Sequence, residues 1–116
     1  MAMAETIFHK IIRKEIPSQM VYEDEDAVAF RDINPVGPVH ILVVPKKTIP
    51  RLEDAGKDDA TLLGRLMLIA TDLARSEGLI ESGYRVVVNS GTDAGQTVFQ
   101  LHLHLIGGRA LGWPPG

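Results

Sequence analysis

With 116 residues, 45% of them hydrophobic, the chain has the size of one domain with a core of its own. A formal charge of −3 and a pI near 5.7 argue against broad electrostatic capture of nucleic acid, and the absence of cysteine excludes disulfides and thiolate metal sites. Neither excludes a small anionic ligand, because a local cluster of donors can hold a phosphate whatever the net sign.

Met1-Ala2-Met3 offers two possible start points. No apolar run has transmembrane length, and the N-terminal residues carry charges where a signal peptide would be apolar. A soluble cytoplasmic protein without a membrane partner is expected, with residues 1–116 as a single domain. Thr6 to Lys14 reads as a short helix that gathers Ile7, Phe8, Ile11 and Ile12 on one side, stopped by Pro17. His9 falls among the polar positions and reads as a solvated surface residue. Met20 to Glu23 and Ala27 to Arg31 read as strands joined by the acidic turn Asp24-Glu25-Asp26, before the proline- and glycine-punctuated loop Asp32 to Pro38. His40 to Pro45 is a β-branched apolar run, the pattern of a central strand with a histidine at its first residue.

Ile49 to Asp54 has room for one helical turn. Asp58 to Glu77 reads as the long helix, with Asp58 or Asp59 as N-cap and Leu62, Leu63, Leu66, Ile69, Ala70 and Leu73 as its buried stripe. Gly78 ends it in the left-handed conformation. Tyr84 to Asn89 is another strand, and the polar loop Ser90 to Thr97 leads into Val98 to Ile106. That last stretch alternates as a half-buried strand does, placing Phe99, Leu101, Leu103 and Leu105 on one face and Gln100, His102 and His104 on the other. The order of helix, three strands, long helix and two strands, with tight turns between strands, predicts an α+β domain on an antiparallel sheet.

The two histidines, about 7 Å apart along the strand, admit three readings. They are exposed strand residues, although Thr, Lys or Glu is commoner there. They are zinc ligands, with His40 as a third; no carboxylate lies near in sequence, and Asp93 would have to bend far to reach them. Or one imidazole attacks phosphorus, forming a phospho-histidine that water cleaves. That chemistry needs a neutral attacking nitrogen, fixed by an acceptor for the other ring N–H, and donors for the phosphate oxygens. The loop preceding the strand supplies candidates: backbone N–H groups beside its glycines, the Thr97 hydroxyl, and the Gln96 and Asn89 amides.

Nearly the whole chain resembles the histidine-triad superfamily, specifically its Hint branch of purine-nucleotide phosphoramidases. The resemblance rests on Thr6-Ile7-Phe8, Ile11 to Pro17, Phe30-Arg31-Asp32-Ile33, Pro38-Val39-His40, Val44 to Lys47 and Val87-Val88-Asn89. It continues through Gly95 to Val98, His102-Leu103-His104, Gly107-Gly108-Arg109 and Trp113-Pro114-Pro115-Gly116. It implies a five-stranded antiparallel sheet with one long and one short helix, a homodimer, and hydrolysis of adenosine or guanosine 5′-phosphoramidates without a metal or other cofactor. By position, His102 would be the nucleophile, His104 would contact phosphate and leaving group, and His40 would help with proton transfer. Asn89, Thr97 and N–H groups of Gln96 to Val98 would hold the phosphate, and Asp32 the ribose. Ile7, Phe8, Ile11, Ile16, Phe30 and Ile33 would line the purine pocket, and Trp113 would reach the partner protomer.

The family pattern is His-x-His-x-His, and here its first position is Gln100. Glutamine keeps the backbone carbonyl that would orient His102, but its side chain cannot titrate. The expectation is therefore retained activity with an altered pH profile. The alternative is a purine-nucleotide-binding regulatory protein with little or no turnover. Dinucleoside polyphosphate hydrolysis is a related chemistry, disfavoured by the Trp-Pro-Pro-Gly ending.

Overall fold

The structure, a computed structural model, describes residues 5–116; the two possible starts in Met1-Ala2-Met3 lie outside the described residues. Helix α1 (Ile7–Ile12) is followed by strands β1 (Met20–Glu23), β2 (Ala27–Arg31) and β3 (Val39–Pro45). Helix α2 (Ala60–Ser76) then leads to β4 (Tyr84–Val88) and β5 (Leu103–Gly107). The five strands form one antiparallel sheet in the order β1-β2-β3-β5-β4, as the alternation and short turns predicted. None of its helices is long and apolar enough to cross a membrane, among the described residues.

The period of two in the strands sorts the side chains into two cores. Ala27 and Ala29 of β2, Ile41 and Val43 of β3, and Leu103 and Leu105 of β5 pack beneath Leu66, Ile69, Ala70 and Leu73 of α2. Their neighbours in sequence, Val28, Phe30, Leu42 and Val44, meet Phe8 and Ile11 of α1 on the opposite face. The sheet is thus covered on both sides, and β3, the strand with two apolar faces, is buried along its whole length. Where α1 ends, the second face opens, and there His40 and His104 emerge from β3 and β5.

Both helices end in the same way. Beyond α2, Gly78 at φ 75° lets its own N–H and that of Leu79 return to the carbonyls of Arg75 and Ala74. Beyond α1 the same two bonds run from Lys14 and Glu15 to Ile11 and Lys10, with Lys14 at φ 61°. The short helix therefore stops before Arg13, ended by that left-handed residue and not by Pro17. His9 is not a free surface residue: it completes a capping box with Thr6, and its Nε2 lies 3.1 Å from Thr48 Oγ1. Asp59 stands at the N-cap of α2 without bonding to the helix. Its carboxylate accepts from Gly56 N–H and Lys47 Nζ instead, so the cap residue secures the preceding turn.

The histidine strand is shorter than its alternation suggested. Only Leu103–Gly107 pairs as β5: β4 ends at Val88, opposite Leu103, and pairing with β3 stops at Val43, although β3 itself runs on to Pro45 beside β2. Leu101 still packs in the α2 core, but Phe99 is 36% exposed and leaves the apolar face. Gln100 leaves the histidine face altogether. Its side chain is fully buried, donating to the carbonyls of Pro45 and Lys47 and accepting the N–H of Ile49.

Candidate active site

His40, His102 and His104 converge although 64 residues separate the first from the last. Cross-strand pairing sets His40 opposite Ile106 and Leu42 opposite His104, which brings the two rings to one side of the sheet. Their nitrogens, His40 Nε2 and His104 Nδ1, are 2.9 Å apart. The His102 ring lies 5.0 Å from that of His104 and meets Phe8 edge-on at 4.9 Å, with an interplanar angle of 86°. His40 and His102 are buried, and His104 is half-buried.

Backbone partners fix where each ring carries its proton. The Gln100 carbonyl, 2.7 Å from His102 Nδ1, can only accept, so Nδ1 holds the hydrogen and Nε2 keeps a free lone pair. At His40 the logic is reversed. Val36 N–H donates to Nδ1 at 3.1 Å, so the proton sits on Nε2 and is donated to His104 Nδ1. His104 in turn carries its proton on Nε2. The result is one imidazole with an available lone pair beside another with an available N–H.

Burial favours the neutral form of all three rings. It lowers His40, partly opposed by Asp32, and lowers His102 against the pull of the Gln100 carbonyl. His104 is pushed down to about 4 by burial and by the two neighbouring histidines. These shifts make stability pH-dependent. Between the ordinary imidazole value of about 6.5 and about 4 the unfolded chain binds a proton at His104 that the folded chain does not. Stability contributed by the neutral ring is therefore present above pH 6.5 and lost as pH falls toward 4. Chemical denaturation from pH 7 to pH 4 is expected to show that decline, and His104→Asn to flatten it.

Asp32, remote in sequence, supplies the carboxylate that sequence spacing could not locate. Its Oδ2 is 3.5 Å from His40 Nε2, and its Oδ1 accepts Asn34 N–H. Asp32, His40 and His104 offer ligand atoms within 4.8 Å of one another. Protonation argues against a cation there. A metal on His40 Nε2 would need the ring proton on Nδ1, where Val36 N–H already points. The arrangement suits donors and an anion better than ligands and a cation.

Two clefts meet at these rings. One, of about 480 Å³, holds Ile7, Phe8, Ile11, Ile16, Phe30 and Ile33, with Asp32, Thr97, Val98 and all three histidines. Its floor is apolar, since Phe8, Ile11 and Phe30 are buried, whereas Ile33 at 88% exposed stands at the rim. The other, of about 550 Å³, contains Asn89, His40 and His104 but not His102. Gln96 lines neither. Its N–H goes to Gly91, its side-chain oxygen accepts Gly91 N–H, and its amide donates to Pro50 and Val98 carbonyls. The Gln96 amide is thus not the phosphate donor that the sequence suggested. It closes the loop, with Gly91 at φ 94°, so that Thr97 and Val98 face the first cleft. Trp113 is 83% exposed and touches no part of the site.

The sequence-based expectations missed Val36, whose N–H controls His40, and the arginines of the second cleft, Arg85 and Arg109. A backbone donor leaves no signature in residue type.

A family description, HIT domain, matches residues 13–111. An uncharacterized HIT-like protein of Synechococcus elongatus is 55% identical over 112 residues, covering 97% of each chain. The crystal structure of a HIT family hydrolase from Legionella pneumophila superposes with a TM-score of 0.95 at 47% identity, covering 97% of this chain and 100% of that one. A histidine triad nucleotide-binding protein from Candida albicans gives 0.81 at 32% identity, covering 95% and 83%.

Proposed function

The chain belongs to the HIT domain family, and from that premise we propose that it is a purine nucleoside phosphoramidase of the Hint branch. Its substrates are adenosine or guanosine 5′-phosphoramidates, its products the nucleoside monophosphate and an amine. The observation that carries this reading is the pair of opposed tautomers: a lone pair on His102 Nε2 and an N–H on His104 Nε2, side by side at the junction of two clefts.

The apolar cleft suits a purine over Phe8, Ile11 and Phe30, with Asp32 accepting from the ribose hydroxyls. In the first step the His102 Nε2 lone pair forms a bond to phosphorus as the P–N bond breaks. The P–N electron pair leaves with the amine nitrogen, which takes a proton from His104. Neutral His40 and His104 hold no spare proton, so one is taken up from solvent as the anionic phosphate enters and opposes the effect of burial. In the second step a water oxygen bonds to phosphorus, the P–Nε2 bond breaks with its electron pair returning to His102, and the water's proton passes back to His104. His40 holds His104 in register, and Thr97, Val98 and Asn89 grip the phosphate oxygens. No step calls on a metal.

The protein acts as a homodimer. β4 is an edge strand, and beside it Leu52, Met67 and Val88 are exposed apolar residues around a groove shared with Leu63 and Val86. Trp113 of each protomer reaches toward the other's site.

The test is release of AMP from adenosine 5′-phosphoramidate. Multiple turnover is expected, with a covalent nucleotidyl-protein captured by rapid denaturation. Tight AMP binding without release would favour the regulatory alternative, to which the substitution at Gln100 lends its only support.

A further inference from the structure

The contact between His40 and His104 accepts one arrangement of protons and forbids another. In the neutral pair, His40 Nε2–H donates to His104 Nδ1 across 2.9 Å, and Val36 N–H occupies the lone pair of His40 Nδ1. A proton drawn in by the anionic phosphate therefore has one ring nitrogen to go to within the pair, His104 Nδ1. Once it is there, two N–H groups point at each other across a gap made for one. The His40 N–H must then find another acceptor.

Asp32 is the acceptor within reach. Its Oδ2 lies 3.5 Å from His40 Nε2, at ion-pair distance and at the long limit of a hydrogen bond. No other carboxylate stands within ion-pair distance of an imidazole among the described residues. The carboxylate is itself held in place: Asp32 N–H bonds to the His40 carbonyl at 2.9 Å, and Oδ1 accepts Asn34 N–H at 2.8 Å. A carboxylate has about four lone-pair sites, so His40 and the ribose hydroxyls do not exclude each other. Three further charged groups share the second cleft with the pair: Arg85, Arg109 and the C-terminal Gly116. The two guanidinium groups are bonded to backbone carbonyls and not to either ring. His102, its ring 5.0 Å from that of His104, is the remaining titratable neighbour.

We propose that Asp32 is a positioning residue for proton transfer: when His104 is protonated on Nδ1, the His40 N–H turns from His104 to Asp32 Oδ2 and holds the pair in that state. This rests on the phosphoramidase reading above and supplies what it asks of His104, which gives a proton in one step and takes one in the next. The imidazolium gives its Nε2 proton to the amine as the P–N bond breaks and the electron pair leaves on nitrogen. His104 is then neutral again, but as the opposite tautomer, with its hydrogen on Nδ1 and a lone pair on Nε2. That lone pair takes the proton of the attacking water. Loss of the Nδ1 proton to solvent lets the His40 N–H swing back, and the site is reset. Without Asp32 the His40 N–H would stay unpaired between the two steps, in a buried position where that is costly. The charge of Asp32 also opposes the effect of burial at all three rings, the direction that stabilising a cation requires.

Asp32→Asn keeps the size and one acceptor oxygen and removes the charge. Nitrogen NMR of the His104 ring in the AMP complex, followed against pH, reads the switch without turnover. His104 is expected to pass from the Nε2–H tautomer to the doubly protonated ring, and in Asp32→Asn to do so about one pH unit lower. The kinetic counterpart uses 2′,3′-dideoxyadenosine 5′-phosphoramidate, which offers Asp32 no hydroxyls, so that any remaining effect comes through His40. The first step needs the added proton, so kcat falls as pH rises through that transition. In the variant the fall should come about one unit earlier, which is about a tenfold loss of kcat on that limb. Failure of the wild type to hydrolyse adenosine 5′-phosphoramidate sinks the phosphoramidase reading, and the titration then still decides the switch. A His104 transition at the same pH in both proteins overturns the switch, as does a kcat profile for the dideoxy substrate that is indifferent to Asp32→Asn.

Discussion

His102→Ala is expected to lower phosphoramidate turnover by at least about 10⁴-fold, the scale on which loss of a covalent nucleophile is felt. Affinity for AMP should change little, because the proposed binding mode assigns the purine, the ribose and the remaining phosphate oxygens to other residues. The asymmetry follows from the protonation pattern. His102 Nδ1 is committed to the Gln100 carbonyl, and Nε2 has no proton to give to a phosphate oxygen. It contributes to bond formation far more than to ground-state binding. Because the ring packs edge-on against Phe8, the alanine variant leaves a hole in a buried corner. His102→Asn fills more of that hole and still offers no nucleophilic nitrogen. Both variants should lose AMP release and the trapped nucleotidyl adduct while retaining a calorimetric AMP isotherm. Turnover within tenfold of wild type in either variant would mean that another group attacks phosphorus.

How much of this was legible in the sequence differs from element to element. The strands of the sheet were, because alternation over four or more residues reports burial directly: the two β1 and β2 ranges agree with the expected ones, and Val39–Pro45 differs from its expected range by one residue. Gly78 announced the end of α2. The end of α1 was hidden, since lysine at a left-handed position is rare and Pro17 offered a plainer explanation. The histidine row was half legible. Alternation identified His102 and His104 correctly as facing away from the α2 core, yet it extended the strand through residues that have no neighbour to pair with. Periodicity describes one chain segment, whereas a strand needs a partner, and where the partners stop pairing is decided far away, at Val43 of β3 and Val88 of β4. Asp32 could not be placed beside His40 from spacing alone, because the loop between them doubles back, with Asp32 N–H bonded to the His40 carbonyl. The orientation of Gln96 was likewise a matter of loop closure, which depends on backbone carbonyls that no residue type advertises.

Gln100 gives the sharpest remaining expectation. Gln100→Ala should cost about 3–5 kcal/mol of stability, and Gln100→His should keep turnover within about tenfold of wild type. The first figure follows from the three partners that the amide satisfies in a fully buried position: the Pro45 and Lys47 carbonyls and the Ile49 N–H. Each buried group left alone costs about 1–3 kcal/mol. Together with the bond from Leu101 N–H to the Ile49 carbonyl, 2.7 Å long, this amide joins the two segments where the β-ladder is missing. The side chain is therefore a clamp, and it holds in place the carbonyl that sets the proton on His102. That carbonyl belongs to the backbone and survives any substitution. A histidine ring can offer one donor and one acceptor to the same turn, enough to keep most of the clamp. Chemical denaturation and AMP release, measured on both variants, separate the two contributions. A gain of several orders of magnitude for Gln100→His would place the deficit in the side chain itself, and would make the protein a nucleotide binder whose triad had been disabled at its first position.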